Sequence, residues 1–151
     1  MNLKKDKYII LELIPTALSP KNGVIVQLSA LKIRGLKLEE RFDYRLKEDL
    51  IPYKDFVDLT SYDKDNFNYV DSSEEILKAF KKWVADYPLL IMDNQYTHNY
   101  LENISNSRES IFKYLNIDNT DDVIERLMKK YQLEPTNHIV DILYESLIRE
   151  L

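Results

Sequence analysis

Cysteine is absent from the sequence, and glycine occurs only twice, as Gly23 and Gly35. The absence of cysteine excludes disulfide bonds and thiolate metal sites. Two isolated glycines cannot form the glycine-rich loop that holds the phosphates of a nucleotide. The two histidines, His98 and His138, lack the spacing of a zinc site, and no G-x-S-x-G turn for a serine nucleophile is present.

Long apolar runs are also absent. No run approaches the roughly 20 residues needed to span a bilayer. The basic N-terminus, Met1–Lys7, leads directly into a predicted strand and lacks the apolar core of a signal peptide. We therefore expect a cytoplasmic protein without a membrane contact.

The composition is typical of one folded domain. The chain has 151 residues, of which 44% are hydrophobic, and this is enough for a substantial core. We expect a single domain over residues 1–151. The formal net charge is -5, which is unfavourable for binding phosphates over the whole surface but leaves room for a local basic patch.

The N-terminal part of the chain predicts three strands. The apolar run Tyr8–Leu13 is typical of a central strand buried on both faces, and Glu12 is a conspicuous exception within it. The segment Val24–Ile33 is rich in strand-forming residues. In Leu36–Leu46, apolar and charged residues alternate, which predicts a half-solvated antiparallel strand at an edge of the sheet.

The rest of the chain predicts mainly helices. Ser72 and Glu75 form a capping box at the start of a helix over Ser72–Tyr87, which Pro88 ends. The other predicted elements are a loop with one short helix over residues 47–71, a buried strand over Leu89–Met92, a helix over Gln95–Ile104, a strand within Ile111–Ile117, a helix over Asp121–Leu133 capped by Asn119, and a last helix from about Asn137 to the C-terminus.

One segment carries a motif. Leu11–Pro20 reads L-E-L-I-P-T-A-L-S-P and resembles the first motif of the DEDDh proofreading-type 3′–5′ exonucleases, D-x-E-T-T-G-L-S-P. Thr16 and Leu18–Pro20 match the motif. The first Asp of the family falls on Glu12, and its Glu falls on Ile14.

Three later segments continue this resemblance in the same order. Asp58–Thr60 matches the family's E-L-T-G-I segment, and the segment that ends at His98 matches the second motif, A-H-N-x-x-F-D. The segment from His138 to Leu143 matches the third motif, H-x-A-x-x-D. The catalytic Asp of the second motif falls on His98. In the third motif the His is kept as His138, whereas the Asp falls on Leu143.

The resemblance covers nearly the whole chain and implies an α/β, ribonuclease-H-like fold with a mixed five-stranded sheet and flanking helices. It also implies a site where four carboxylates hold two divalent ions and a His acts as general base. The four carboxylate positions hold Glu12, Ile14, His98 and Leu143. Because two of these side chains are hydrocarbon and Mg²⁺ requires anionic oxygen ligands, we expect the two-metal site to be lost.

Leu143 also belongs to an apolar stripe, independently of the motif. Ile139, Leu143, Leu147 and Leu151 recur every four residues along the last predicted helix. This spacing predicts that Leu143 packs into the core.

The polar residues of the degenerate site have alternative interpretations. Glu12 is either a remnant metal ligand or a carboxyl at a strand end. His98 is either a transition-metal ligand or a surface residue, and His138 is either a relic general base or a residue that flanks the last helix. A rebuilt metal site could use His138, Asp141 and Glu145 with Glu12, although Asp141 lies about 200° round the helix from the lost ligand.

Three functions follow from these alternatives. The first is a pseudo-nuclease that binds a protein partner or a second copy of itself, and the acidic charge and lost ligands favour it. The second is a binder of single-stranded nucleic acid without cleavage. The third is an active exonuclease with a rebuilt site, and only this one requires Mg²⁺ or Mn²⁺; otherwise we expect no cofactor.

Overall fold

The computed structural model describes residues 1–53, 67–134 and 138–151. Within these residues the strands are β1 (Lys7–Pro15), β2 (Ile25–Arg34), β3 (Lys37–Leu46), β4 (Asn68–Val70), β5 (Leu89–Ile91) and β6 (Arg108–Ser110). The helices are α1 (Ser73–Val84), α2 (Gln95–Tyr100), α3 (Phe112–Leu115), α4 (Val123–Tyr131) and α5 (Ile139–Glu150).

All of these strands belong to one sheet, in the order β4-β3-β2-β1-β5-β6. β1, β2 and β3 pair antiparallel, whereas β4, β5 and β6 each join a neighbour in parallel. The predicted α/β class with a mixed sheet is therefore confirmed, and the architecture is ribonuclease-H-like. The described residues form six strands, one more than expected, because β4 is a three-residue strand within the segment predicted as loop.

The central strand β1 separates two hydrophobic clusters. Ile9, Leu11 and Leu13 pack in the first cluster, which also contains the buried face of α1. Tyr8 and Ile10 pack in the second cluster with residues of α4 and α5. Because alternate side chains of a strand point to opposite faces, helices cover both sides of the sheet, as the continuous apolar run predicted.

A tight turn joins β2 to β3. Gly35 and Leu36 both adopt positive φ angles, 55° and 70°, and the flanking residues Arg34 and Lys37 are paired. Glycine accepts this conformation readily, whereas a leucine in it is strained. The hydroxyl of Tyr144 on α5 donates a 2.7 Å hydrogen bond to the carbonyl oxygen of Leu36, so the last helix is fastened to this turn.

The predicted helix start at Ser72 is confirmed, but two other local predictions are wrong. Ser72 and Glu75 form the expected reciprocal capping box of α1. The predicted strand within Ile111–Ile117 is instead the short helix α3, since a short apolar run does not distinguish a strand from a buried helix. Asn119 does not cap α4; its side-chain amide donates a 3.0 Å hydrogen bond to the carbonyl oxygen of Met92.

The polar face of β3 differs from the predicted solvated face. Asp43 and Arg45 are only 8% and 6% exposed, whereas the apolar Leu38 is 40% exposed. The register of β3 against β2 shifts by one residue beside Ile33, and β4 pairs with the last three residues of β3. The C-terminal half of β3 is therefore interior, and only its N-terminal half behaves as an edge.

Two expectations lie outside the described residues: the match at Asp58–Thr60 and the start of the last helix near Asn137. In the part of the chain that the structure describes, no helix is both long enough and apolar enough to cross a membrane.

Leu143 is fully buried in the second cluster, which confirms its predicted place in the core. Leu143→Asp should therefore lower the free energy of unfolding by more than the roughly 2–5 kcal/mol that loss of a packed leucine costs, because the new carboxylate is also desolvated. Urea denaturation measures this change. Leu151→Asp, at the exposed end of the same stripe, is the control and should change little. A Leu143→Asp variant that unfolds at the same urea concentration as the wild type would contradict the assignment.

Candidate functional site

The residues at the family's carboxylate positions on β1 are Glu12 and Ile14. Both lie on the face of β1 that also carries Tyr8 and Ile10, since they alternate with the residues of the first cluster. Glu12 is 6% exposed and Ile14 is 2% exposed, so both side chains are buried. Across the sheet, Glu12 pairs in register with Ser29 of β2.

A series of side-chain hydrogen bonds connects Glu12 to β3. Gln27 on β2 donates from Nε2 to the Oε1 atom of Glu12 at 3.5 Å, a long hydrogen bond. The Nη1 atom of Arg45 donates to the Oε1 atom of Gln27 at 2.6 Å. The amide of Gln27 thus relays between a buried guanidinium and a buried carboxyl.

Glu12 is held in its neutral form near pH 7. Burial, together with the nearby carboxylates of Asp141 and Asp43, raises the pKa of the Glu12 carboxyl to about 8. Its Oε2 atom is buried and has no hydrogen-bond partner. A neutral carboxyl is a poor ligand for a divalent cation, since metal binding requires the deprotonated form.

Arg41, Asp43 and residues of α5 form the second half of the site. The guanidinium of Arg41 binds both carboxylate oxygens of Asp141, at 2.6 Å and 3.0 Å. Its Nε atom donates to the Oδ2 atom of Asp43 at 3.1 Å. The other carboxylate oxygen of Asp43 lies 3.7 Å from the Nδ1 atom of His138, the residue before α5. The imidazole of His138 stacks on the ring of Phe67, with ring centroids 5.2 Å apart.

The structure brings some predicted site residues together and separates others. Glu12, His138 and Asp141 lie in one polar cluster, in which Glu12 is buried and the other two are partly exposed, whereas Ile14 and Leu143 are packed hydrocarbon. Two predicted residues lie elsewhere. His98 is half exposed on α2, and its Nε2 atom forms a 2.8 Å hydrogen bond with Asp93. Glu145 lies beside Tyr144 on α5.

This donor set does not fit a pair of divalent ions. Asp141 is engaged on both oxygens by a guanidinium, and the carboxyl of Glu12 is neutral near pH 7. Among residues 1–53, 67–134 and 138–151, no group of three or more His, Asp or Glu side chains is positioned to hold a metal ion. These side chains instead form hydrogen bonds and ion pairs with one another.

A narrow recess opens beside Glu12 at the end of β1. It is lined by Leu11, Glu12, Leu13, Met92, Asn94, Tyr96 and Thr97, and its free volume is about 10 Å³. This volume is the room that one water molecule needs. A nucleotide therefore does not reach Glu12 in this conformation.

Sequence reasoning missed four members of the cluster: Gln27, Arg41, Asp43 and Arg45. None of them occupies a motif position. The signal in the sequence is the polar face of β3, which carries Arg41, Asp43 and Arg45 at every second position and which alternation alone predicts to be solvated. A buried Glu12 in the same sheet requires polar partners, and such a face is where they lie.

Comparison with known proteins gives partial matches. The chain is 27% identical to PolC-type DNA polymerase III of Oceanobacillus iheyensis over 56% of its length, and 23% identical to that of Bacillus cereus over 58%. It is 30% identical to that of Staphylococcus epidermidis over 56% of its length. These matches support a distant exonuclease-like relation. The matched part is 6% of the length of each relative, and no family model matches the chain.

The raised pKa of Glu12 predicts a pH-dependent stability. Between its ordinary pKa of 4.5 and about 8, the folded protein holds one proton more than the unfolded chain. The free energy of unfolding therefore falls as pH rises through this window, by up to about 1.4 kcal/mol per pH unit. Glu12→Gln stays neutral, so its stability relative to the wild type should increase from about pH 5 to about pH 8.

Urea denaturation at a series of pH values measures this dependence. Glu48→Gln, at an exposed position after β3, is the control and should keep the wild-type pH profile. Parallel profiles for Glu12→Gln and the wild type would mean that Glu12 is ionised in the folded protein.

Proposed function

We propose that the chain is a catalytically degenerate 3′–5′ exonuclease-fold domain that acts by binding a protein partner or a second copy of itself. The main support is the buried site at Glu12. Its carboxyl is neutral near pH 7, its recess accommodates one water molecule, and the neighbouring ligand positions are filled by hydrocarbon. Losing even one partner that orients a metal ligand costs about 10–100-fold in affinity or activity.

The partner is inferred from charge. The formal net charge is -5, and nucleic-acid affinity depends on neutralising phosphates with Lys and Arg. Of the paired lysines on α4, Lys130 already lies 3.5 Å from a carboxylate oxygen of Glu150. A protein surface is therefore the better-supported ligand, and single-stranded nucleic acid is the alternative.

The second candidate is an active metal-dependent exonuclease with a rebuilt site. The partial similarity to DNA polymerase III proteins favours it. Such a site would have to use Glu12, His138, Asp141 and Glu145, and Asp141 would have to leave Arg41 first. This requirement makes it the weaker proposal.

We expect no metal-dependent nuclease activity. Labelled single-stranded DNA and RNA, incubated with the protein in Mg²⁺ or Mn²⁺, should release nucleotides from the 3′ end no faster than with Glu12→Gln. The reason is that no pair of ions can be held where the phosphodiester would be attacked. Release from the 3′ end that disappears in Glu12→Gln would establish the exonuclease alternative.

We also expect weak binding to single strands at about 0.15 M salt. A groove binder would show an affinity that falls with salt at a log–log slope of about -0.7 per phosphate contacted. The measurement is a fluorescence-anisotropy titration at several salt concentrations, with sedimentation velocity to detect a dimer. Sub-micromolar binding that is lost in a Lys129→Glu, Lys130→Glu variant, but kept when Lys81 and Lys82 of α1 are reversed instead, would overturn the proposal of a protein partner.

A further inference from the structure

The recess beside Glu12 contains a polar atom that needs a partner. Glu12 lines this recess and is 6% exposed. Its Oε1 atom accepts from Gln27, whereas its Oε2 atom is buried and has no hydrogen-bond partner among the described residues. Buried polar atoms are nearly always bonded, either to the protein or to water, so Oε2 requires an explanation.

The size and polarity of the recess limit what can bind there. Its free volume of about 10 Å³ is close to the smallest that holds a water molecule, so it has no room for a phosphate group or a nucleotide. Buried cavities that stay empty are apolar, whereas polar ones hold water. This recess has a polar lining from two elements, Glu12 on β1 and the pair Asn94 and Thr97 at the start of α2.

Asn94 and Thr97 have hydrogen-bonding capacity left for a bound molecule. The Oδ1 atom of Asn94 accepts from the backbone amide of Thr97 at 3.0 Å and also from the hydroxyl of Thr97. Because the hydroxyl hydrogen is used in this bond, the oxygen of Thr97 keeps its lone pairs as acceptors. The side-chain amide of Asn94 keeps its two N–H donors.

The carboxyl of Glu12 adds a second donor. It is neutral near pH 7, because burial raises its pKa. Since the Oε1 atom accepts from Gln27, the proton lies on Oε2. A water molecule in the recess therefore meets donors in Glu12 and Asn94 and an acceptor in Thr97. Three hydrogen bonds are the usual number for a buried water molecule.

We propose that one internal water molecule binds in the recess and joins Glu12 on β1 to Asn94 and Thr97 at the start of α2. It accepts one hydrogen bond from Oε2 of Glu12 and another from the amide of Asn94, and it donates to Oγ1 of Thr97. The water satisfies the buried carboxyl and connects α2 to the central strand. This inference does not depend on the proposed function.

Oxygen-17 relaxation dispersion of water tests the proposal. The method counts internal water molecules that stay bound for longer than the protein takes to tumble, and it does not detect exchanging side-chain protons. Glu12→Met keeps the length of the side chain but removes both oxygens, so it should show one long-lived water molecule fewer than the wild type. Glu12→Gln keeps polar atoms at this place and should keep the wild-type count. Circular dichroism establishes whether each variant is folded.

A second variant removes the partner on the other side of the recess. Thr97→Val keeps the shape of a side chain that is 3% exposed and removes its hydroxyl, so it should also lose one long-lived water molecule. It decides the test if Glu12→Met does not fold. Ser146→Ala is the matched control, because it removes a fully buried hydroxyl that lies on α5 and donates to the carbonyl oxygen of Ile142. This control should keep the wild-type count.

The proposal can fail in three ways. A wild type that holds no long-lived water would overturn it without any variant. A count that stays at the wild-type value in the folded Glu12→Met or Thr97→Val protein would also overturn it. Loss of one water molecule in Ser146→Ala would have the same result, because the count would then not report on the recess.

Discussion

Strand β1 is buried over eight consecutive residues, Tyr8 to Pro15, and both hydrophobic clusters of the protein rest on it. A strand in this position contributes side chains to two cores at once. Any polar side chain on it is therefore desolvated by a helical layer as well as by the neighbouring strands. Glu12 is the polar residue that meets this constraint, and the surrounding structure is arranged around it.

The protein neutralises Glu12 without an ion. A proton is retained on the carboxyl because burial and two nearby carboxylates raise its pKa. The amide of Gln27 satisfies one oxygen, and the carboxylates of Asp43 and Asp141 are balanced by Arg41. These partners come from β2, β3 and α5, so the network also specifies how these elements are placed relative to β1.

The sequence predicts well whatever is encoded locally. The strand β1, the capping box at Ser72 and the burial of Leu143 follow from runs, caps and helical spacing, which neighbouring residues determine. The assignment of Ile14 and Leu143 to ligand positions stays a prediction, which rests on the order of the motifs along the chain. The fold class was implied by the resemblance, and the order of the predicted elements agrees with it.

The remaining features depend on residues far apart in sequence. The burial of Asp43 and Arg45 results from β4, α5 and the ring of Phe67, and alternation along β3 carries no information about these. Alternation of apolar and charged residues distinguishes the two faces of a strand, but it does not show which face is exposed to solvent. Likewise, α3 forms where an apolar run was predicted to be a strand, because helix and buried strand share the same short signal. From the sequence one could predict only that a buried Glu12 needs polar partners, not which residues provide them.

The contact between Arg41 and Asp141 also has a kinetic consequence. It connects positions that are 100 residues apart, whereas the antiparallel strands β1 to β3 connect neighbours in the chain. Local contacts form faster than contacts between distant parts of a chain, so the hairpins are expected to form before this contact does. An interaction that is absent from the folding transition state slows unfolding and leaves the folding rate almost unchanged. The ion pair on α5 thus contributes to the lifetime of the folded protein more than to the speed with which it forms.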